Sequence, residues 1–217
     1  SSSIVIAIDY SGSYQEIADL NPENQIAVYD KTFDFVFDLA KELPKDISFK
    51  VLPINEFSSV SDVICQARIK KKKLLGNKKK DNSAMLLKDF KNTYADICKV
   101  AIMKQEVAPG TDISGTIDLT RKLIRAETNG PVFLIILSDF YEYRSEYLPK
   151  FEFDLDGFRV LLLYRTKAFS MDGNVVQLTD GEVKKWKQKF LDSGAKKACM
   201  TPENASEFKG QALRCLY

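Results

Sequence analysis

Hydrophobic residues fall into two alternating patterns along this chain. Residues 4–8, 132–137 and 158–164 are short, nearly unbroken apolar runs. Runs of this length, rich in β-branched residues, read as strands buried on both faces of a parallel sheet. Residues 49–54 read as another strand, with Pro53 near an edge or a strand end because proline donates no ladder bond. Between these runs apolar residues recur at three- and four-residue steps. Ile26, Tyr29, Phe33, Phe37, Ala40 and Leu43 predict an amphipathic helix, opened by Asn21-Pro22 and stopped by Pro44. Ile113, Ile117, Thr120, Leu123 and Ile124 predict a second, after the break at Pro109-Gly110-Thr111-Asp112. Val183, Trp186 and Phe190 predict a third, after the capping-box spacing Thr179-Asp180-Gly181-Glu182 and before Gly194. A short strand near residues 197–200 and a helix from Pro202 end the chain.

Strands alternating with helices predict an α/β fold: a doubly wound, mostly parallel central sheet with helices on both faces. At 217 residues the chain is read as a single domain spanning residues 1–217. Residues 60–109 fit the pattern least well. Val63, Ile64, Ala67 and Leu74 suggest a helix through Lys70, Lys71, Lys72 and Lys73; Lys78, Lys79 and Lys80 follow. Met85, Leu86, Phe90, Ile97 and Val100 resume a helical period beyond Ser83. The region is therefore expected to be a helical, basic insertion at about residues 60–109.

Composition narrows the chemistry. The chain has no histidine, which excludes imidazole zinc sites, histidine general bases and Ser-His-Asp triads. A net charge of +2 gives no global case for binding nucleic acid or an acidic membrane. The lysine runs carry no interleaved aromatic platform, so they read as a solvated loop, with phosphate or nucleic-acid contact the disfavoured alternative. No apolar run approaches a membrane span, so no transmembrane segment is expected in this chain. Cys65, Cys98, Cys199 and Cys215 lack Cys-x-x-Cys spacing and read as free buried thiols; a Cys199–Cys215 bridge stays open if the protein is exported. No signal peptide is seen, and the chain opens on Ser1-Ser2-Ser3 directly before a strand. These features leave the compartment undecided between the cytoplasm and, if Ser1 follows a removed signal, an exported or lipid-anchored setting.

The first strand stops at Asp9, followed by Ser11 and Ser13 with Gly12 between them. Three oxygen side chains with no sulfur or imidazole suit a hard cation such as Mg²⁺. Alone, Asp-x-Ser-x-Ser is equally a capped turn. The strand over residues 132–137 also ends in a carboxylate, Asp139. Doubly wound sheets bind ligands beyond the carboxyl ends of their strands, where the strand order reverses, between the first and fourth strands in the order 3-2-1-4-5-6. Asp9 and Asp139 are then expected to face each other across that crevice. Thr111 closes the same rim, with Thr116 as a fallback, and Thr111 and Asp112 also suit helix capping.

Asp9-x-Ser11-x-Ser13, Gly110-Thr111-Asp112 and Ser138-Asp139 together resemble the three parts of a metal-ion-dependent adhesion site. The family resembled is the von Willebrand factor type A domain, shared with integrin I domains and many bacterial proteins. The resemblance implies Ser11, Ser13 and Thr111 as direct ligands of Mg²⁺ or Mn²⁺, and Asp9 and Asp139 as carboxylates acting largely through water. Neutral hydroxyls leave most of the ion's charge for an outside anion. The expected function is therefore divalent-cation-dependent binding of another protein that presents Asp or Glu, with no small-molecule substrate. Tyr141, Tyr143, Phe140 and Arg144, with Tyr10 and Tyr14, are candidates for partner contacts on that face; loop packing is the alternative. The enzymatic alternative is a Mg²⁺-dependent phosphotransferase or phosphatase with Asp9 as nucleophile, but the second carboxylate such sites use is replaced by Ser11.

Overall fold

The computed structural model describes residues 1–15, 22–43, 46–70, 83–125, 129–141, 153–165, 167–169, 175–177 and 180–217. Strands β1 (Ser2–Asp9), β2 (Ile47–Ile54), β3 (Cys65–Ile69), β4 (Val132–Ser138), β5 (Phe158–Tyr164) and β8 (Lys197–Pro202) form one sheet in the order β3-β2-β1-β4-β5-β8. Every neighbour pair is parallel except β2–β3. The order reverses between β1 and β4, as the topology rule requires, and Ile8 lies opposite Leu137. Strands β6 (Lys167–Phe169) and β7 (Val175–Gln177) form a small separate antiparallel pair that the apolar pattern does not announce.

The continuous apolar runs are explained by burial on both faces. All eight residues of β1 and all seven of β4 are buried. Ile4, Ile6, Ile8, Phe133, Ile135 and Leu137 pack on one side with Phe33, Phe35 and Leu39 of α2 (Pro22–Glu42) and Phe208 and Leu216 of α7 (Phe208–Leu216). Val5, Ala7, Leu134 and Ile136 pack on the other with Ile113 and Ile117 of α5 (Ile113–Arg125) and Val183, Trp186 and Phe190 of α6 (Asp180–Asp192). Each buried Val, Leu, Ile or Phe among them contributes about 1.5–3 kcal/mol. The remaining helices are the single turn α1 (Gly12–Gln15), α3 (Ser83–Asp89) and α4 (Ala95–Met103), the last two joined by a wider π-helical turn, Phe90–Tyr94.

Three expectations need correction. The helix drawn through Val63, Ile64 and Ala67 does not form: Val63 and Ile64 precede the antiparallel edge strand β3, and Ala67 lies within it, its residues alternating between partial burial and exposure until the buried Ile69. A few apolar residues fit both periods, and pairing with β2 decides between them. Residues 83–103 are helical as expected, but the inward face is Leu87, Phe90, Ala95, Cys98 and Ile102, while Met85, Ile97 and Val100 are exposed. The π turn shifts the helical phase, so a single 3.6-residue period selects the wrong side. Asn21, Pro44, Leu74, Lys71, Lys72, Lys73, Lys78, Lys79, Lys80, Tyr143, Arg144 and Thr179 lie outside the described residues, and Lys70 is exposed.

The third correction concerns the cysteines, none of which is free. Cys65 on β3 is bridged to Cys98 on α4, and Cys199 on β8 to Cys215 on α7, with Cα separations of 5.5 and 6.2 Å. Both lie within the usual range for disulfides. Each bridge ties an outer strand to a covering helix; Cys199–Cys215 is the pairing left open above, whereas Cys65–Cys98 is a tertiary contact that residue spacing does not reveal. Titration of the unreduced, denatured protein with a thiol reagent is expected to find no free thiol, and reduction to lower stability by about 2–4 kcal/mol per bridge. A full complement of thiols before reduction contradicts the pairing.

Candidate functional site

The carboxyl ends of β1, β2, β4, β5 and β8 converge on one rim. Asp9 closes β1 with both carboxylate oxygens engaged: Oδ1 accepts from the Ser11 amide at 2.8 Å, and Oδ2 from the Ser138 hydroxyl at 2.5 Å. This fixes the turn into α1 and sets the Ser11 and Ser13 hydroxyls 3.2 Å apart. The segment before α5 crosses the same rim. The Ala108 amide donates to the Tyr10 carbonyl at 2.7 Å, and the Asp112 amide to the Asn55 carbonyl at 2.8 Å. Thr111 is thereby held, buried, between the ends of β1 and β2. Asp112 caps α5 by accepting from the Gly115 amide at 2.7 Å. A Cβ on residue 115 would lie 2.0 Å from Asp112 Oδ2, so only glycine admits this cap. Thr116 sits one turn further on, its hydroxyl within reach of the Pro53 and Asp112 carbonyls, which makes it part of the helix's own bonding.

Asp139 follows β4. Its Oδ1 accepts from the Tyr141 amide at 2.9 Å, while Oδ2 is buried and has no hydrogen-bond partner. Phe140 between them has φ 59°, the left-handed region, which is costly for a bulky residue. Its amide donates to Ser138 Oγ, its carbonyl accepts from Trp186 Nε1 at 3.2 Å, and its ring is buried near that of Trp186. Strain at this point ends the strand and leaves Ser138 and Asp139 together on the rim.

Asp9 and Asp139 are both fully buried and close enough to repel each other. Burial first, and then the Asp139 charge, pushes Asp9 from the ordinary 3.8 up to about 7. Burial also raises Asp139; the nearby Ser13 hydroxyl, the Tyr141 amide and Arg165 offset part of this, although no well-aligned bond satisfies Oδ2. A carboxyl raised on folding stabilises the fold fully below its unfolded value, and that contribution fades as pH rises through the folded value. Chelator-treated protein is therefore expected to be more stable at pH 5 than at pH 8, with most of the loss completed around pH 7. Thermal melts across that range check this; a melting temperature that climbs from pH 5 to 8 without added cation contradicts it.

A second set of buried charges lies beneath the rim, unmarked in the sequence. Arg165, just past β5, donates to a carboxylate oxygen of Glu203, to the Tyr14 carbonyl and to Gln25 Oε1, the last at 2.8 Å. Its guanidinium stacks on the Tyr14 ring at 3.9 Å, and the Tyr14 hydroxyl donates to the other Glu203 oxygen at 2.7 Å. Arg165 thus clamps the α1 turn that carries Ser13 and neutralises Glu203. Tyr10, Tyr14 and Phe140 are buried and so are not partner contacts; of the aromatics singled out from the sequence, Tyr141 is the described one that is exposed.

Asp9, Asp139 and Glu203 against Arg165 leave two negative charges in a buried setting when all are ionised. That imbalance, with the unpartnered Asp139 Oδ2, fits a divalent cation. The donor set also fits one of hard, oxygen-preferring type: no group of three or more His, Cys, Asp or Glu side chains suited to a metal is found among the described residues, and hydroxyls complete the set here.

No family model and no curated protein sequence matches this chain. Solved structures do. A von Willebrand factor type A protein from Catenulispora acidiphila superposes with a TM-score of 0.54 at 14% identity, covering 99% of this chain and 42% of that one. Proximal thread matrix protein 1 from the mussel byssus gives 0.51 at 15% identity, covering 99% and 46%. The PilB minor pilin from Streptococcus sanguinis gives 0.54 at 9% identity, covering 98% and 60%. The chain spans about half the length of these proteins. The architecture is a doubly wound α/β sheet with one antiparallel edge strand. It is the von Willebrand factor type A fold.

Proposed function

We propose that this chain is a divalent-cation-dependent protein-binding module whose metal site is the rim formed by Asp9, Ser11, Ser13, Thr111 and Asp139. The observation that carries this reading is Asp139 Oδ2, a buried carboxylate oxygen without a partner beside a second buried carboxylate. Such an arrangement is costly unless a cation joins it. The Ser11, Ser13 and Thr111 hydroxyls would hold Mg²⁺ or Mn²⁺ directly. Asp9, already fixed by Ser138 and the Ser11 amide, would orient the hydroxyls and balance charge from one shell out. When bound, the ion supplies an electrophilic position, little neutralised by hydroxyl ligands, for a partner's Asp or Glu.

Nucleophilic use of Asp9 is disfavoured because both of its oxygens are engaged and the side chain has no exposure. No helix among the described residues is long and apolar enough to cross a membrane. Mg²⁺ at a hundred times its dissociation constant is expected to stabilise the protein by about 2.7 kcal/mol. Melts with Mg²⁺ or EDTA test this; the shift should vanish in the Ser11→Ala/Ser13→Ala double variant. Equal melting temperatures of the native protein in both conditions sink the reading.

A further inference from the structure

A line of large apolar side chains runs along the outside of α4. Tyr94, at the end of the π turn, Ile97 (58% exposed), Val100 (55%) and Met103 are all exposed. They recur every three residues on continuous helical backbone, so their Cβ atoms follow one another at about 5–6 Å. The helix cannot roll to bury them, because its other side is fixed. Ala95, Cys98 and Ile102 are buried, and Cys98 is bridged to Cys65 on β3. Lys99 Nζ lies 2.8 Å from Asp30 Oδ1 on α2, and the Tyr10 hydroxyl donates to the Ile102 carbonyl at 3.0 Å. A contiguous apolar stripe held rigidly in solvent marks an interaction surface.

The charges on the same side say what covers it. Asp96 flanks the stripe near the start of α4, and Lys104 follows Met103 at its end. Asp96 is paired at 3.6 Å with Lys99, a cation that Asp30 already holds more closely. Lys104 is exposed and makes no ion pair among the described residues. The two opposite charges stand at equal steps from Val100, each about 6 Å away along the helix axis. A strongly acidic or strongly basic partner would meet its own sign at one of them. A second copy of α4 laid antiparallel satisfies both. With Val100 at the two-fold axis, Ile97 of each copy meets Met103 of the other, and Asp96 comes level with Lys104 at both ends. Such a contact is self-complementary, as a two-fold dimer requires. Parallel pairing would set like charges against each other.

We propose that α4 is a self-association surface, on which two copies of this chain pair through antiparallel α4 helices centred on Val100. The contact uses none of the residues of the candidate metal site and stands whether or not that site holds an ion.

The test is sedimentation equilibrium of the 217-residue protein in EDTA. A contact one helix long belongs at the weak end of the micromolar-to-picomolar span of protein interfaces, so the range to cover is about 5 to about 500 μM. A monomer–dimer equilibrium is expected within it. Val100→Asp, which sets two carboxylates against each other at the axis, should weaken the dimer at least about tenfold, with an unchanged circular dichroism spectrum. Asp96→Lys and Lys104→Asp should each weaken it at least about threefold, because each puts like charges level at both ends. An equimolar mixture of these two variants should associate within about twofold of the native protein, since their heterodimer restores opposite charges at both ends. A chain that stays monomeric throughout overturns the pairing. So does a Val100→Asp variant that dimerises as the native protein does, or a mixture of the charge variants that associates no more tightly than either alone.

Discussion

Replacing Arg165 by methionine is expected to cost about 3–5 kcal/mol of stability, the scale for removing one member of a buried ion pair. The substitution strands Glu203 in a buried site, with only the Tyr14 hydroxyl left to it among the bonds described, and frees the Tyr14 carbonyl and Gln25 Oε1. Lysine should rescue little, because an ammonium cannot reproduce a planar fork serving Glu203, Tyr14 and Gln25 while stacking on the Tyr14 ring. The Arg165→Met/Glu203→Leu double variant should regain much of the loss, since the Glu203 charge is then not left buried without its partner. Its Mn²⁺ affinity should nevertheless stay below that of the native protein, because the clamp on the α1 turn beside Ser13 is gone. Urea denaturation checks the stability and calorimetry the affinity; an Arg165→Met variant within 1 kcal/mol of the native protein contradicts the clamp.

Asp139→Asn is expected to separate binding from stability. The amide keeps an acceptor for the Tyr141 amide but removes the charge that repels Asp9. Cation affinity should fall by about 10–100-fold, the usual cost of losing a carboxylate that orients a metal's ligands. In chelator at pH 8 the variant should melt higher than the native protein, whereas at pH 5, where Asp9 is already protonated, the gain should shrink. Binding sites often carry such a cost in stability. A variant that melts lower at pH 8 while binding Mn²⁺ normally contradicts the coupling between the two carboxylates.

Most of the frame was legible because it rests on patterns that the chain repeats. The buried runs at residues 4–8 and 132–137 could be placed side by side by topology alone, and Asp9 and Ser138 are in direct contact as neighbouring strand ends. Asp9, Ser11 and Ser13 lie within one turn of chain, so their grouping is local. Three features were not legible. The strand β3 is defined by pairing with β2, and its few apolar residues carry no unambiguous period. The Cys65–Cys98 bridge depends on that strand meeting α4. The Arg165–Glu203–Tyr14 cluster joins residues from three distant parts of the chain, each unremarkable among its neighbours. Its one sequence signal is position: Arg165 and Glu203 each follow a buried strand at the carboxyl end of the sheet, where side chains reach the rim. Tyr10 and Tyr14 show the converse error, since sharing a face in sequence did not put them in solvent.

The most direct test of the account is a calorimetric titration of Mn²⁺ into chelator-stripped protein at pH 7.5, run beside an Asp9→Ala variant whose fold is confirmed by circular dichroism. One ion should bind per native chain and none to the folded variant. A native protein that takes up no ion, or a variant that binds as the native protein does, contradicts it.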